Sequence, residues 1–109
     1  MPIYESAREY FEQISQEIPT EQARELKGVF SFDIQDAGLW TIEFTEDGEV
    51  IDHASSESLE PDCTIIAREK DWLDIVSGRT KPMSAFVTGK LKVKGSTGKA
   101  MKLQQILGQ

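Results

Sequence analysis

Along the first eighteen residues, Ile3, Ala7, Tyr10, Phe11, Ile14 and Ile18 recur at helical spacing, with Glu5, Arg8, Glu9, Glu12, Gln13 and Gln16 between them. That spacing predicts one amphipathic helix, ended before Pro19 because proline cannot continue the backbone hydrogen-bond ladder. Thr20, Gln22, Ala23 and Leu26 predict a second, short helix, capped by Thr20 and stopped at Gly28. The period then shortens to two. Phe30, Phe32 and Ile34 alternate with Ser31, Asp33 and Gln35, and Asp36-Ala37-Gly38 turns the chain. Trp40, Ile42 and Phe44 alternate with Thr41, Glu43 and Thr45 before a second turn at Glu46-Asp47-Gly48, and Val50 to Ser55 reads as a third strand. Turns this closely spaced predict an antiparallel meander with one apolar face.

A polar loop, Ser56 to Asp62, leads to the β-branched run Cys63-Thr64-Ile65-Ile66-Ala67, a fourth strand. Trp72, Leu73, Ile75 and Val76 share one side of a helix that stops at Gly78, and Pro82 opens another carrying Met83, Ala85, Phe86 and Val87, ended by Gly89. Leu91 and Val93 alternate with Lys90, Lys92 and Lys94 in a fifth strand closed by Gly95. Ser96 or Thr97 caps a last helix with apolar positions Ala100, Met101, Leu103, Ile106 and Leu107. The predicted order, α-α-β-β-β-β-α-α-β-α, keeps helices apart from a largely antiparallel five-stranded sheet and covers one of its faces. This is an α+β architecture.

With 109 residues, 1–109 read as a single domain large enough to fold without disulfides. The lone cysteine, Cys63, forms no internal disulfide. The acidic, polar start does not resemble a signal peptide, and no apolar run reaches membrane-spanning length, so the cytoplasm is the expected compartment. Net charge is −7, which argues against nucleic acid as the main partner. The charge is uneven. Residues 1–74 hold all 19 acids and five bases, whereas from Ile75 onward there are seven bases (Arg79, Lys81, Lys90, Lys92, Lys94, Lys99 and Lys102) and no acid. Such asymmetry suits an anionic surface or headgroup, or two halves that offset each other across the folded surface.

Chemistry is sparse. His53 is the only histidine and Cys63 the only thiol, so neither a nucleophilic triad nor a metal cage can be assembled; no catalytic residue, metal ligand or cofactor is expected. Cys63 has no basic sequence neighbour to activate it and reads as a small buried hydrophobe. The carboxylates fall on turns and polar helix faces. Gly95-Ser96-Thr97-Gly98-Lys99 looks like the end of a phosphate-binding loop, but Val93 stands where the leading glycine belongs and Ala100 where Ser or Thr should follow the lysine. Nucleotide hydrolysis is rejected. A looser anion contact at that helix start remains open.

The second half of the chain resembles the sterol carrier protein 2 domain family. The resemblance is carried by Pro61-Asp62-Cys63-Thr64-Ile65, Trp72-Leu73-Asp74-Ile75-Val76-Ser77-Gly78, Lys81-Pro82-Met83-Ser84-Ala85-Phe86-Val87-Thr88-Gly89, Lys90-Leu91-Lys92-Val93-Lys94-Gly95 and Ala100-Met101-Lys102-Leu103-Gln104, with support from Gly28 to Ile34 and Trp40-Thr41-Ile42. It spans residues 28 to 107, roughly three quarters of the chain. The resemblance implies a five-stranded sheet covered by helices with a hydrophobic tunnel between the layers, and non-catalytic binding or transfer of fatty acid, fatty acyl-CoA, sterol-like lipid or phospholipid. Two departures matter. The C-terminal peroxisomal address of animal members is missing, which points to a prokaryotic cytosolic setting, and Ser96-Thr97-Gly98 differs from the usual residues after the glycine, so no headgroup preference carries over.

On that resemblance the tunnel walls are expected to be Phe30, Phe32, Ile34, Trp40, Ile42 and Phe44 from the sheet, and Trp72, Val76, Met83, Phe86, Met101, Ile106 and Leu107 from the helices. Large rings would hold the helices off the sheet, and the methionines would repack around varied ligands. Periodicity alone favours a filled core instead. Lys90, Lys92, Lys94 and Lys99 are expected to touch an anionic headgroup or an anionic membrane. Burying about 14 methylenes would gain on the order of 11 kcal/mol, enough for micromolar to nanomolar binding after association costs. Two alternatives stand beside the carrier: an interaction module using the outer sheet face (Val29, Ser31, Leu39, Thr41, Ile51), and a small lyase or isomerase. The pattern leaves the oligomeric state undetermined.

Overall fold

A computed structural model of the chain describes residues 4–53 and 59–107, the side chains of Ser15 and Leu107 excepted. Strands β1 (Gly28–Ile34), β2 (Gly38–Phe44), β3 (Val50–Asp52), β4 (Cys63–Ala67) and β5 (Leu91–Gly95) form one sheet in the order β3-β2-β1-β4-β5. The β1–β4 pair is parallel and the other three are antiparallel. The turns at residues 35–37 and 45–49 return the chain beside itself, so β1 to β3 form the expected meander. The third strand ends at Asp52, short of the expected Ser55; Ala54 to Ser58 lie outside the described residues.

The register aligns the apolar set across the sheet. Phe32 faces Trp40 on one side and Ile65 on the other, while Phe30 sits between Ile42 and Cys63. Because side chains alternate along a strand, this alignment puts Phe30, Phe32, Ile34, Ile42, Phe44, Cys63, Ile65, Ala67 and Leu91 on one buried face. Among the described residues six helices cover it: α1 (Ala7–Glu12), α2 (Ile14–Glu17), α3 (Thr20–Leu26), α4 (Glu69–Val76), α5 (Pro82–Val87) and α6 (Thr97–Leu107).

The helices differ from expectation at three places. The first predicted helix is two, broken at Gln13, whose N–H bonds back only three residues to Tyr10 in a tighter turn; both pieces still bury their apolar side, Tyr10, Phe11 and Ile14. Ile3 lies outside the described residues. Pro19, not Thr20, occupies the N-cap of α3, because its extended backbone already places its carbonyl to accept from Ala23 N. Lys27 rather than Gly28 ends α3, at a φ of 24°. For α6 the two capping candidates resolve to Ser96, whose Oγ accepts from Lys99 N at 3.3 Å. The start of α4, without a cap of its own, borrows one from the β1–β2 turn: Glu69 N donates to Asp36 Oδ1 at 2.7 Å.

Two glycines are demanded by close approach. At Gly95 (φ 90°) an added Cβ would lie 2.6 Å from the Asp62 carbonyl oxygen, and at Gly48 (φ 85°) 2.6 Å from that of Thr20. The first lets β5 end against the entry to β4; the second lets the β2–β3 turn rest on α3.

Candidate functional site

The space between sheet and helices is divided unequally. Over β1 and β2 the described rings pack against one another. Phe11 of α1 stacks on Trp40 with ring centres 4.7 Å apart and on Trp72 at 5.7 Å, and lies tilted against Phe32 at 5.0 Å. Tyr10 meets the Trp72 ring edge-on at 5.7 Å, and Phe30 meets Phe44 the same way at 5.4 Å. The rings therefore interlock with the N-terminal helices instead of propping them away. Phe30, Phe32, Ile34, Ile42 and Phe44 are fully buried and Trp40 half-buried in this packed region, and none of the six lines the cavity described next.

Over β4 and β5 the layers part. A cavity of about 280 Å³ lies between Ile65, Leu91 and Val93 of the sheet, Trp72 of α4, Pro82, Met83 and Phe86 of α5, and Thr97, Ala100, Met101, Leu103 and Gln104 of α6. A second hollow of about 370 Å³ adjoins it, sharing Pro82, Met83, Met101 and Gln104 and adding Lys81 and Gln105. The lining is almost wholly apolar, and among the described residues the first hollow includes no charged group. Its outer lip is exposed: Met83 is 54%, Phe86 50% and Met101 54% accessible, and Val87 beside them 75%. Large apolar side chains this exposed, gathered on two neighbouring helices, mark a surface meant to be covered.

Of the residues expected to wall a tunnel, Trp72, Met83, Phe86 and Met101 come together here. Val76 and Ile106 are half-buried against the core instead, and the side chain of Leu107 is not described. Sequence reasoning missed Ile65, Leu91, Val93, Pro82, Thr97, Ala100, Leu103 and Gln104. A signal was present for one wall: Thr97, Ala100, Met101 and Gln104 follow the i, i+3, i+4, i+7 spacing of a single helix face.

The lysines are scattered, not gathered. Leu91 and Val93 point into the cavity, so the alternating Lys92 and Lys94 stand on the opposite face of the sheet. Lys99 turns away as well, its ammonium donating to the Lys27 carbonyl beside Asp62. Lys90, exposed, follows the turn in which Gly89 N donates to Phe86 O, and Lys81 opens α5 at the lip. On the outer face Ser31 and Thr41 are buried, paired across the register, leaving Leu39 as its exposed apolar residue among those expected there.

The reactive groups are occupied or shut away. His53 Nε2 lies 2.8 Å from Glu43 Oε1. Burial, and to a lesser degree Asp62, pushes the Cys63 thiol up to about 11, keeping it neutral and inert. Burial likewise raises the phenols of Tyr10 and Tyr4, with Glu17 adding to the effect. Among the described residues no three His, Cys, Asp or Glu side chains gather to hold a metal, and no helix is long and apolar enough to cross a membrane.

A profile of the SCP-2 sterol transfer family matches residues 9–108. Non-specific lipid-transfer protein-like 1 of Caenorhabditis elegans is 36% identical over 103 residues, covering 89% of this chain and 86% of the relative. Human sterol carrier protein 2 is 33% identical over 89 residues, covering 76% of this chain but only 16% of the human protein. Among solved structures, the sterol carrier protein domain 2 of Helicoverpa armigera superimposes with a TM-score of 0.68 at 27% identity, covering 92% of this chain and 84% of that one.

Proposed function

This chain belongs to the SCP-2 sterol transfer family, and we propose that it carries one lipid molecule in the cavity between β4, β5, α5 and α6, exchanging it with anionic membranes through the apolar lip. The observation that carries this reading is the open, uncharged hollow whose lip leaves Met83, Phe86 and Met101 half exposed. Fatty acids, fatty acyl-CoA, sterol-like lipids and phospholipids all present the hydrocarbon such a hollow would take. Among the described residues the lining of the first hollow offers the Thr97 hydroxyl and otherwise apolar or amide groups, a surface suited to holding hydrocarbon.

Charge supports the membrane part. The lip is formed by the half of the chain that has no acid, with Lys81 at the opening of α5 and Lys90 just after it. Each lysine near an anionic surface contributes about 1 kcal/mol, while the exposed side chains of α5 supply apolar area to the interface. Delipidated protein should bind vesicles of phosphatidylglycerol and phosphatidylcholine at low salt and bind pure phosphatidylcholine vesicles far less. Saturating the cavity at a hundred times the dissociation constant should stabilise the fold by about 2.7 kcal/mol, raising the melting temperature by about 10 °C. No shift with palmitate, palmitoyl-CoA, cholesterol or phospholipid, and no lipid in native mass spectra after gentle purification, would sink the carrier reading.

A further inference from the structure

On the sheet face turned away from the cavity, the strand register arranges the outward side chains in three rows. Leu39, Asp33, Ile66 and Lys92 form the first, across β2, β1, β4 and β5. Thr41, Ser31, Thr64 and Lys94 form the second, and Ile51, Glu43 and Val29 the third. A sheet face left to water ordinarily alternates to polar residues. Here the middle row is low, with Ser31 and Thr41 buried, and around it stand the half-buried Val29, Ile51 and Ile66 and the exposed Leu39. The charges are kept apart, acids on β1 and β2 and lysines on β5, with Ile66 between Asp33 and Lys92 in their row. Among the described residues Asp33, Lys92 and Lys94 form no ion pair.

We infer that this face pairs reversibly with the same face of a second copy of the chain. Its two acids and two lysines balance, and a polar hollow beside the first row continues the balance, with Arg68, Lys70 and Lys90 against Asp36, Asp71 and Asp74. An anionic membrane would meet the acids together with the lysines, whereas a second copy offers each sign its opposite. A two-fold axis parallel to the strands, over the seam between β1 and β4, lays β5 of each copy across β2 of the other. The stem of Lys92 then covers Leu39 of the second copy while its ammonium reaches Asp33 there, one strand over. Lys94 crosses Thr41 of the second copy with Glu43 one row away, and symmetry makes each contact twice. Four overlapping strands of five to seven residues bury less than about 1,200 Å² in total, the range of transient pairs. The lipid cavity lies on the opposite side of each sheet, so pairing neither needs nor blocks a guest.

Sedimentation equilibrium of the full chain, from about 10 µM to about 1 mM, should show the mass rising from one chain toward two. About 0.5 M sodium chloride should weaken the association several-fold. Lys92→Glu alone and Asp33→Lys alone should each weaken it by about tenfold, and an equimolar mixture of the two variants should pair as well as the parent. Asp33 is the better acid to reverse, because Glu43 already meets His53 in its own copy. Leu39→Arg disrupts the same face without reversing a charge, and Leu39 is exposed enough for the fold to tolerate it. In the parent, amide resonances of Ser31, Thr64 and Lys92 should shift on dilution while those of α5 stay still. Palmitate affinity should be the same in every variant. A single-chain mass at all concentrations overturns the pairing. A dimer indifferent to the three substitutions, or one whose dilution shifts fall on α5, overturns its assignment to this face. Lys92→Glu that abolishes binding to anionic vesicles but leaves the mass unchanged overturns it too, and gives the face to a membrane.

Discussion

At the scale of single residues, positions that look alike in the sequence separate once their neighbours are known. Gly89 and Gly95 both end an element with a positive φ, of 80° and 90°. An added methyl at Gly89 meets nothing within 4 Å, whereas at Gly95 it collides with the Asp62 carbonyl. Gly89→Ala should therefore cost only the backbone strain, about 1 kcal/mol, and Gly95→Ala about 3 kcal/mol or more, read from urea melts. Cys63 makes a second prediction, in alkali. Its folded-state pKa, about 11, lies above the ordinary 9.0, so the stability tied to its protonated form is complete below pH 9. That stability is lost as pH rises toward 11, by about 2 kcal/mol, because the unfolded chain releases its proton first. Cys63→Ala should flatten this part of the pH–stability curve. At pH 8 the native thiol should resist an aromatic disulfide reagent that reacts at once in urea.

At the scale of elements, the strands were readable because a half-buried sheet imposes a period of two, and a one-residue error would put Phe32 on the wrong face. Helix ends were less readable. The break at Gln13 leaves the apolar spacing undisturbed, so no pattern of greasy positions could reveal it, and the cap of α4 comes from Asp36, thirty-three residues upstream. The site was legible only in part for a related reason. Alternation tells which side of β1 and β2 is apolar but not whether a helix fills the space above it; here Phe11 does, and the hollow is displaced to β4 and β5. What the pattern did contain was the excess of apolar side chains on α5, a helix of six residues too short to bury them all. Val87, largely exposed and outside the cavity lining, isolates the role of that excess. Val87→Ser should leave stability within about 0.5 kcal/mol of the parent. Lipid exchange between protein and anionic vesicles should slow, measured with a fluorescent lipid.

At the scale of the whole molecule, interlocked rings lie over β1 and β2 and the described cavity over β4 and β5, while the acids and bases are split along the sequence. The acidic first 74 residues include α1 and the meander, and the acid-free remainder builds α5, β5 and α6. On the proposed reading Lys81, beside the adjoining hollow, would draw the lip toward an anionic surface. Trp72 belongs to both ends. One part of its surroundings is the ring stack with Tyr10, Phe11 and Phe32, and another is the cavity. Helix α1 is fastened to the same element, with Ala7 N donating to Glu69 Oε2 at 3.0 Å. A guest pressing on one side of that indole should steady the helix leaning on its other side. Amide hydrogens of Ala7 to Glu12 would then exchange more slowly when cargo is aboard, although none of those residues lines the cavity itself.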